Sequence, residues 1–138
     1  MAAQYVLGLD YGDERVGVAI AQQIARLPRP LTTLQNNESL IDEIQLVADR
    51  EDIGCVVVGV PRNMDGTEST QSRTCREFAS VIAQKLTMPV ETIDETLSSI
   101  EAEKILKQLG KPYKKSDIDA MSAVLILERY FDEQKGDL

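Results

Sequence analysis

The sequence predicts an α/β fold, a mixed five-stranded sheet with helices on both faces. Three observations lead there. Two apolar runs joined by a polar knot, "VLGLDYGDERVGVAI" at residues 6–20, open the chain as a β-hairpin. "CVVVGV", residues 55–60, is a continuous apolar run closed by Gly59 and Pro61, the pattern of a strand covered on both faces in a parallel sheet. Elsewhere apolar residues recur at helical spacing, so an antiparallel meander gives way to alternating helices and strands.

The elements follow in order. Residues 6–11 and 16–21 are the hairpin strands, joined through "GDER". "RPLTTLQ" is a third strand, whose start Pro28 and Pro30 confine to an edge or a loop. From Asn37 onward Leu40, Ile44, Val47 and Ala48 fall on one helical stripe, stopped by "EDIG". After the "CVVVGV" strand, Cys75, Phe78, Ala79, Ile82 and Leu86 mark a second helix, which makes Cys75 a core residue. "PVETID" is the last strand. Ser98 with Glu101 has the form of a capping box for a helix through Leu109, ended by Gly110 and Pro112. Ser116 opens a final helix, "SDIDAMSAVLILERYF", apolar around most of its circumference and therefore buried.

At 138 residues, 43% of them hydrophobic, the chain suits one domain over residues 1–138 with a single core. No apolar run is long enough to span a bilayer, and the start lacks the basic-then-apolar pattern of a signal peptide, so no membrane partner is expected. Cys55 and Cys75 form no Cys-x-x-Cys pair, which points to reduced thiols in a cytoplasmic protein. There is no histidine. That removes Ser-His-Asp and Cys-His catalysis and the common zinc sites, leaving carboxylates, lysines or an oxygen-held metal to carry any reaction. The net charge of −8 weighs against a protein that coats nucleic acid, but not against a local basic patch beside an acidic metal site.

In sheets of this kind ligands gather outside the carboxyl ends of the parallel strands. Acids lie there. Asp10 ends the first strand, Asp94 and Glu95 end "VETID", and Asp119 sits in the first turn of the last helix. Alternation puts Val6, Gly8 and Asp10 on one face, where Gly8 is expected to leave open space beside the carboxylate. Ser122 and Ala123, small neighbours of Asp119 on its helix, would let that helix approach the sheet closely. Three converging carboxylates repel one another unless cations join them, and Mg²⁺ or Mn²⁺ with oxygen ligands meets that need without histidine. Each acid also has a plainer reading: Asp10 a strand-end turn former, Glu95 a solvated loop acid, Asp119 half of an S-x-x-D cap with Ser116. Asp117 reads as a first-turn acid complementing the helix dipole, and Asp13 and Glu14 as a solvated hairpin tip.

The cations divide in the same way. Lys107, Lys111, Lys114 and Lys115 surround the loop leading to Asp119, while Arg62, Arg73 and Arg76 surround "NMDG", whose Asp65 and Gly66 read as a turn. They are either an ordinary solvated face or two loops that steer a phosphate backbone toward the acids. No P-loop occurs.

"GLDYGDERVGVAI", "VVGVPRNMDGTES", "IDETLSSIEAE" and "DIDAMSAVLILERYF" together resemble the successive motifs of the YqgF/RuvX family, in order and over essentially the whole chain. The family comprises proteins described as pre-16S rRNA nucleases and as Holliday-junction-resolvase-like. The resemblance implies a ribonuclease-H-like fold, phosphodiester hydrolysis with a divalent metal, and cytoplasmic trimming of the 5′ end of the small-subunit rRNA precursor. Carried over by position, Asp10, Glu95 and Asp119 are the catalytic and metal-binding acids; Arg62, Arg73, Lys114 and Lys115 of the two basic loops are the candidates for substrate binding. One position departs: the family's usual Arg after the Asp-Glu pair is Thr96 here, so substrate affinity would rest on another cation such as Arg62 or Lys115. Three other functions compete. A resolvase of four-way DNA junctions would use the same acids, and a non-catalytic RNA-binding or transcription-associated factor would use none of them. A sugar-kinase-type phosphotransferase would need a second domain for which 138 residues leave no room.

Overall fold

The computed structural model describes residues 4–62, 65, 67–95 and 98–136, the side chains of Glu95, Ser98 and Lys135 excepted. Strands β1 (Tyr5–Tyr11), β2 (Arg15–Gln22) and β3 (Arg29–Gln35) are followed by α1 (Leu40–Arg50), β4 (Ile53–Pro61), α2 (Thr70–Lys85), β5 (Val90–Glu95), α3 (Ser98–Leu109) and α4 (Lys115–Gly136). The sheet order is β3-β2-β1-β4-β5. The hairpin and its third strand pair antiparallel, whereas β1–β4 and β4–β5 are parallel, as the mixed pattern requires. β3 is an edge strand, and its ladder shifts where Val18 faces Thr32 but Ala19 faces Pro30. Proline lacks the N–H that a regular ladder would use there.

Two cores result. Leu7, Leu9, Val56 and Val58 point to one face, under Ile44 and Val47 of α1 and Phe78 and Ile82 of α2. Val6, Cys55, Val57 and Ile93 point to the other, under Ala123, Val124, Leu127 and Phe131 of α4. The helix α4 runs across the sheet on that second face, and α3 packs on α4. The continuous run in β4 is buried because it faces both layers: Val56, Val57 and Val58 are each wholly inaccessible.

Glycine decides how closely α4 lies. A Cβ on Gly17 would run into the carbonyl of Asp119, and one on Gly8 would meet Leu127 Cγ at 2.6 Å and the Ala123 carbonyl at 3.1 Å. The space expected to be open beside Asp10 at Gly8 is therefore filled by α4: the glycine serves helix packing. At the other end of α3, Gly110 adopts φ +73°, the left-handed cap its position suggested.

The S-x-x-D reading of Ser116 and Asp119 is also corrected. The helix begins one residue earlier, and Asp117 Oδ2 accepts from the backbone N–H of Lys114 at 2.8 Å. Ser116 instead lends its carbonyl to Thr33 Oγ1 at 2.7 Å, tying α4 to the edge strand. Asp117 thus caps the helix and leaves Asp119 for other work. The Ser98–Glu101 box and the turn at Asp65 and Gly66 fall partly outside the described residues.

Candidate active site

The carboxyl ends of β1, β4 and β5 form one rim. Asp10 stands next to last on β1 and shares the phase of Val6 and Gly8, the α4 face. Its ladder partner on β2 is Gly17, the residue against which the Asp119 backbone rests. Asp10 and Asp119, 109 positions apart in sequence, thereby have one glycine as a common neighbour, Asp10 beside it in the sheet and the Asp119 backbone packed on its α4 face. The sequence-level signal for this was a glycine inside an apolar strand, which marks a close backbone approach.

Glu95 ends β5 opposite Pro61, and Glu91 and Ile93 before it in the same phase belong to the α4 face. β5 lies two strands from β1, about 10 Å at the usual spacing. Glu95 is described by its backbone alone, and Thr96 lies outside the described residues. Among the described residues no three His, Cys, Asp or Glu side chains cluster as a metal site.

Asp119 has a partner that reasoning from sequence missed. Arg15 Nε donates to Asp119 Oδ2 at 2.6 Å, and its Nη1 donates to Glu14 Oε2 at 3.2 Å. The hydrogen bond and charge of Asp119 hold the guanidinium still more firmly protonated than usual. Arg15 opens β2 straight after the hairpin tip, where Gly12 N–H bonds the Arg15 carbonyl at 3.0 Å and Asn36 Nδ2 bonds the Gly12 carbonyl at 2.7 Å. A charged residue leading directly into an apolar strand was the clue. Asp13 and Glu14 are exposed at the tip, as expected.

The candidate substrate cations separate into two groups. Arg62 follows β4, and its Nε lies 3.4 Å from Asp94 Oδ1, with Arg76 Nη2 at 4.0 Å from the same oxygen. Asp94 is out of phase with Glu91 and Ile93, so this cluster belongs to the α2 side of the rim. Arg73 is exposed in the first turns of α2; Lys114 and Lys115 are exposed at the start of α4, one turn before Asp119. The α2 start is held to the rim by its Ser69–Ser72 capping box and by the Ser72 hydroxyl, which donates to the Pro61 carbonyl.

A recess of about 360 Å³ lies at the opposite end of the sheet, among Val6, Cys55, Glu91, Tyr130 and Phe131. There Cys55 Sγ and Tyr130 Oη both donate to Glu91 Oε2, at 3.1 and 2.7 Å. Burial first, then the Glu91 carboxylate, push the Cys55 thiol up to about 12 and move the Tyr130 phenol upward as well. Both groups therefore favour the folded state while neutral. Unfolding releases protons above the unfolded thiol value near 9.0, so stability falls as pH rises from there toward 12. Denaturant titrations at stepped alkaline pH should show this decline, at most about 1.4 kcal/mol per pH unit for each group. Cys55→Ala should remove the thiol's share of it and leave that of Tyr130.

With the geometry in place, comparison with known proteins is informative. The family model described as RuvX, Holliday junction resolvase, matches residues 4–133. The chain belongs to the RuvX family. Among its relatives, a protein of Chloroflexus aggregans is 42% identical over 141 residues, covering 99% of each chain. Another, from Chloroflexus aurantiacus, is 39% identical over 140 residues, covering 99% of this chain and 92% of its own. Both carry the name "Putative pre-16S rRNA nuclease". Among solved structures, RuvC of T. thermophilus in complex with a Holliday junction substrate aligns with a TM-score of 0.55 at 17% identity, covering 96% of each chain. That likeness is one of fold, and it places this RuvX-family chain among the ribonuclease-H-like sheets that the motifs implied.

Proposed function

We propose that the protein is a metal-dependent endonuclease that hydrolyses RNA phosphodiester bonds, trimming the 5′ end of the 16S rRNA precursor in the cytoplasm. The observation that supports this reading is a shared neighbour: Asp10, near the carboxyl end of β1, pairs with Gly17 in the sheet, and the Asp119 backbone of α4 rests on that same glycine. The names of its relatives supply the substrate class.

The residues suit a hard divalent ion. Carboxylate oxygens are the donors, histidine is absent, and of the two cysteines Cys55 lies at the far end of the sheet and Cys75 is buried beneath the other face. Asp10, Glu95 and Asp119 would hold Mg²⁺ or Mn²⁺. When bound, such an ion activates water and stabilises the leaving oxygen of a phosphodiester. Asp10 is fixed by β1, and Asp119 by a helix packed on Gly17 of β2 and tied to Thr33 of β3, so neither carboxylate depends on a loop for its position. Lys114, Lys115 and Arg73 present exposed charge to a phosphate backbone, and Arg62 lies on the same rim beside Asp94.

Lys114→Gln and Lys115→Gln should each weaken RNA binding uniformly across sequences. Each should also reduce the slope of log affinity against log salt by about one, measured by filter binding over a salt series.

The resolvase description of the family supports a second substrate, a four-way DNA junction. Cleavage of a precursor-rRNA leader and of a four-way junction should be measured side by side with Mn²⁺. Preferential RNA cleavage is expected; junction cleavage with intact RNA would transfer the reading to DNA. No Mg²⁺ or Mn²⁺ binding at millimolar concentration in calorimetry would instead leave a non-catalytic binding factor.

A further inference from the structure

We infer that Arg15 is an exchangeable counter-ion: it holds the Asp119 carboxylate in the metal-free protein, is displaced by the divalent ion, and then turns to the substrate phosphate. The inference rests on the metal-dependent reading above and assigns Arg15 its part in that site.

Four features carry it. Arg15 Nε occupies Asp119 Oδ2, an oxygen that a cation would also take. A guanidinium and a divalent ion repel each other, so both cannot share that oxygen at full strength. The pair is also partly open, with 28% of the Arg15 and 23% of the Asp119 side chain accessible. At such exposure an ion pair is weak enough to be exchanged, unlike a buried one, whose separation would strand two charges. The second bond of the guanidinium goes to Glu14, 82% exposed on the hairpin tip, so Arg15 has a route outward along its own turn.

Chemistry supports both ends of the exchange. Without a metal, Arg15 offsets the charge of the Asp119 carboxylate, whose backbone rests on the ladder partner of Asp10. Once released, its planar fork matches the paired oxygens of a phosphodiester better than a lysine would.

The test follows the Arg15 Nε–H signal in ¹H–¹⁵N spectra of the full chain, assigned by its loss in Arg15→Lys. In the free protein it should exchange slowly with water. Titration with Mg²⁺ should shift it and speed its exchange, with the same midpoint as metal binding measured by calorimetry. A fully phosphorothioate-substituted leader RNA, added to the Mg²⁺ form, should shift it again. Arg15→Gln, which removes the competitor, should bind Mg²⁺ about two- to fivefold more tightly, the range expected for a partly exposed pair. A signal unmoved at Mg²⁺ saturation overturns the exchange, and one that moves with Mg²⁺ but ignores the RNA overturns the phosphate contact. Asp119→Asn separates this failure from that of the underlying reading. If that variant binds Mg²⁺ as tightly as the parent, Asp119 is no metal ligand and both fall; if it binds weakly while the Arg15 signal stays fixed, the exchange alone is wrong.

Discussion

Asp10→Asn should reduce Mn²⁺-dependent cleavage of a precursor-rRNA leader by more than about a hundredfold, exceeding the 10–100-fold cost of losing an outer-shell partner of a metal site. The amide keeps the shape of the side chain but not its charge, and a hard cation binds it poorly. Stability should change little, by about 0.5 kcal/mol or less, because Asp10 is only half-buried near the end of its strand. Single-turnover cleavage and thermal melts of the same preparation separate the two effects. Full activity would remove Asp10 from the reaction.

Gly17→Ala should have the opposite character, with a large structural effect that carries the site away. The added methyl would collide with the Asp119 carbonyl, which is backbone and cannot swing aside. Relief requires α4 to move off the sheet, at a cost of about 3 kcal/mol. For a domain of 138 residues that lowers the melting temperature by roughly 10 °C. Because α4 carries Asp119 with it, cleavage should fail even at temperatures where the variant remains folded. Gly8→Ala is the useful contrast: its methyl would meet the buried Leu127 side chain at 2.6 Å and a backbone carbonyl only at 3.1 Å, so a smaller cost of about 2 kcal/mol is expected. Equal melting temperatures for the two variants would show that the Asp119 contact does not set the position of α4.

The contrast between these glycines also shows what the sequence made legible. Periodicity marked the strands and α1 closely, because each buries a face with its own spacing: the α1 stripe Leu40, Ile44, Val47 and Ala48 is the buried set observed. By contrast, the polar first turn of α2 from Thr70 and the polar last turn of α4 to Gly136 lie beyond the apolar residues that marked those helices. The small residues of α4 announced a close approach, and the partners of that approach are Gly8 and Gly17 on neighbouring strands. Which glycine would lie under which helical residue depends on the crossing of α4 over the sheet, which no local pattern encodes. The Arg15–Asp119 pair was hidden for the same reason: its members are 104 positions apart and meet only once α4 is laid down. Asp117 and Asp119 illustrate a smaller ambiguity. Both fit a first-turn acid, and a one-residue shift in the helix start decided which of them caps.

The central claim is that Asp10, Asp119 and Glu95 serve one cation site at the carboxyl rim. Crystals of the chain soaked in Mn²⁺ and measured at the manganese absorption edge test it directly. An anomalous peak within about 2.0–2.4 Å of carboxylate oxygens from all three residues is the predicted result, consistent with oxygen coordination of such ions. Ordered side chains of all three residues with no shared peak, or manganese bound away from positions 10 and 119, would contradict it.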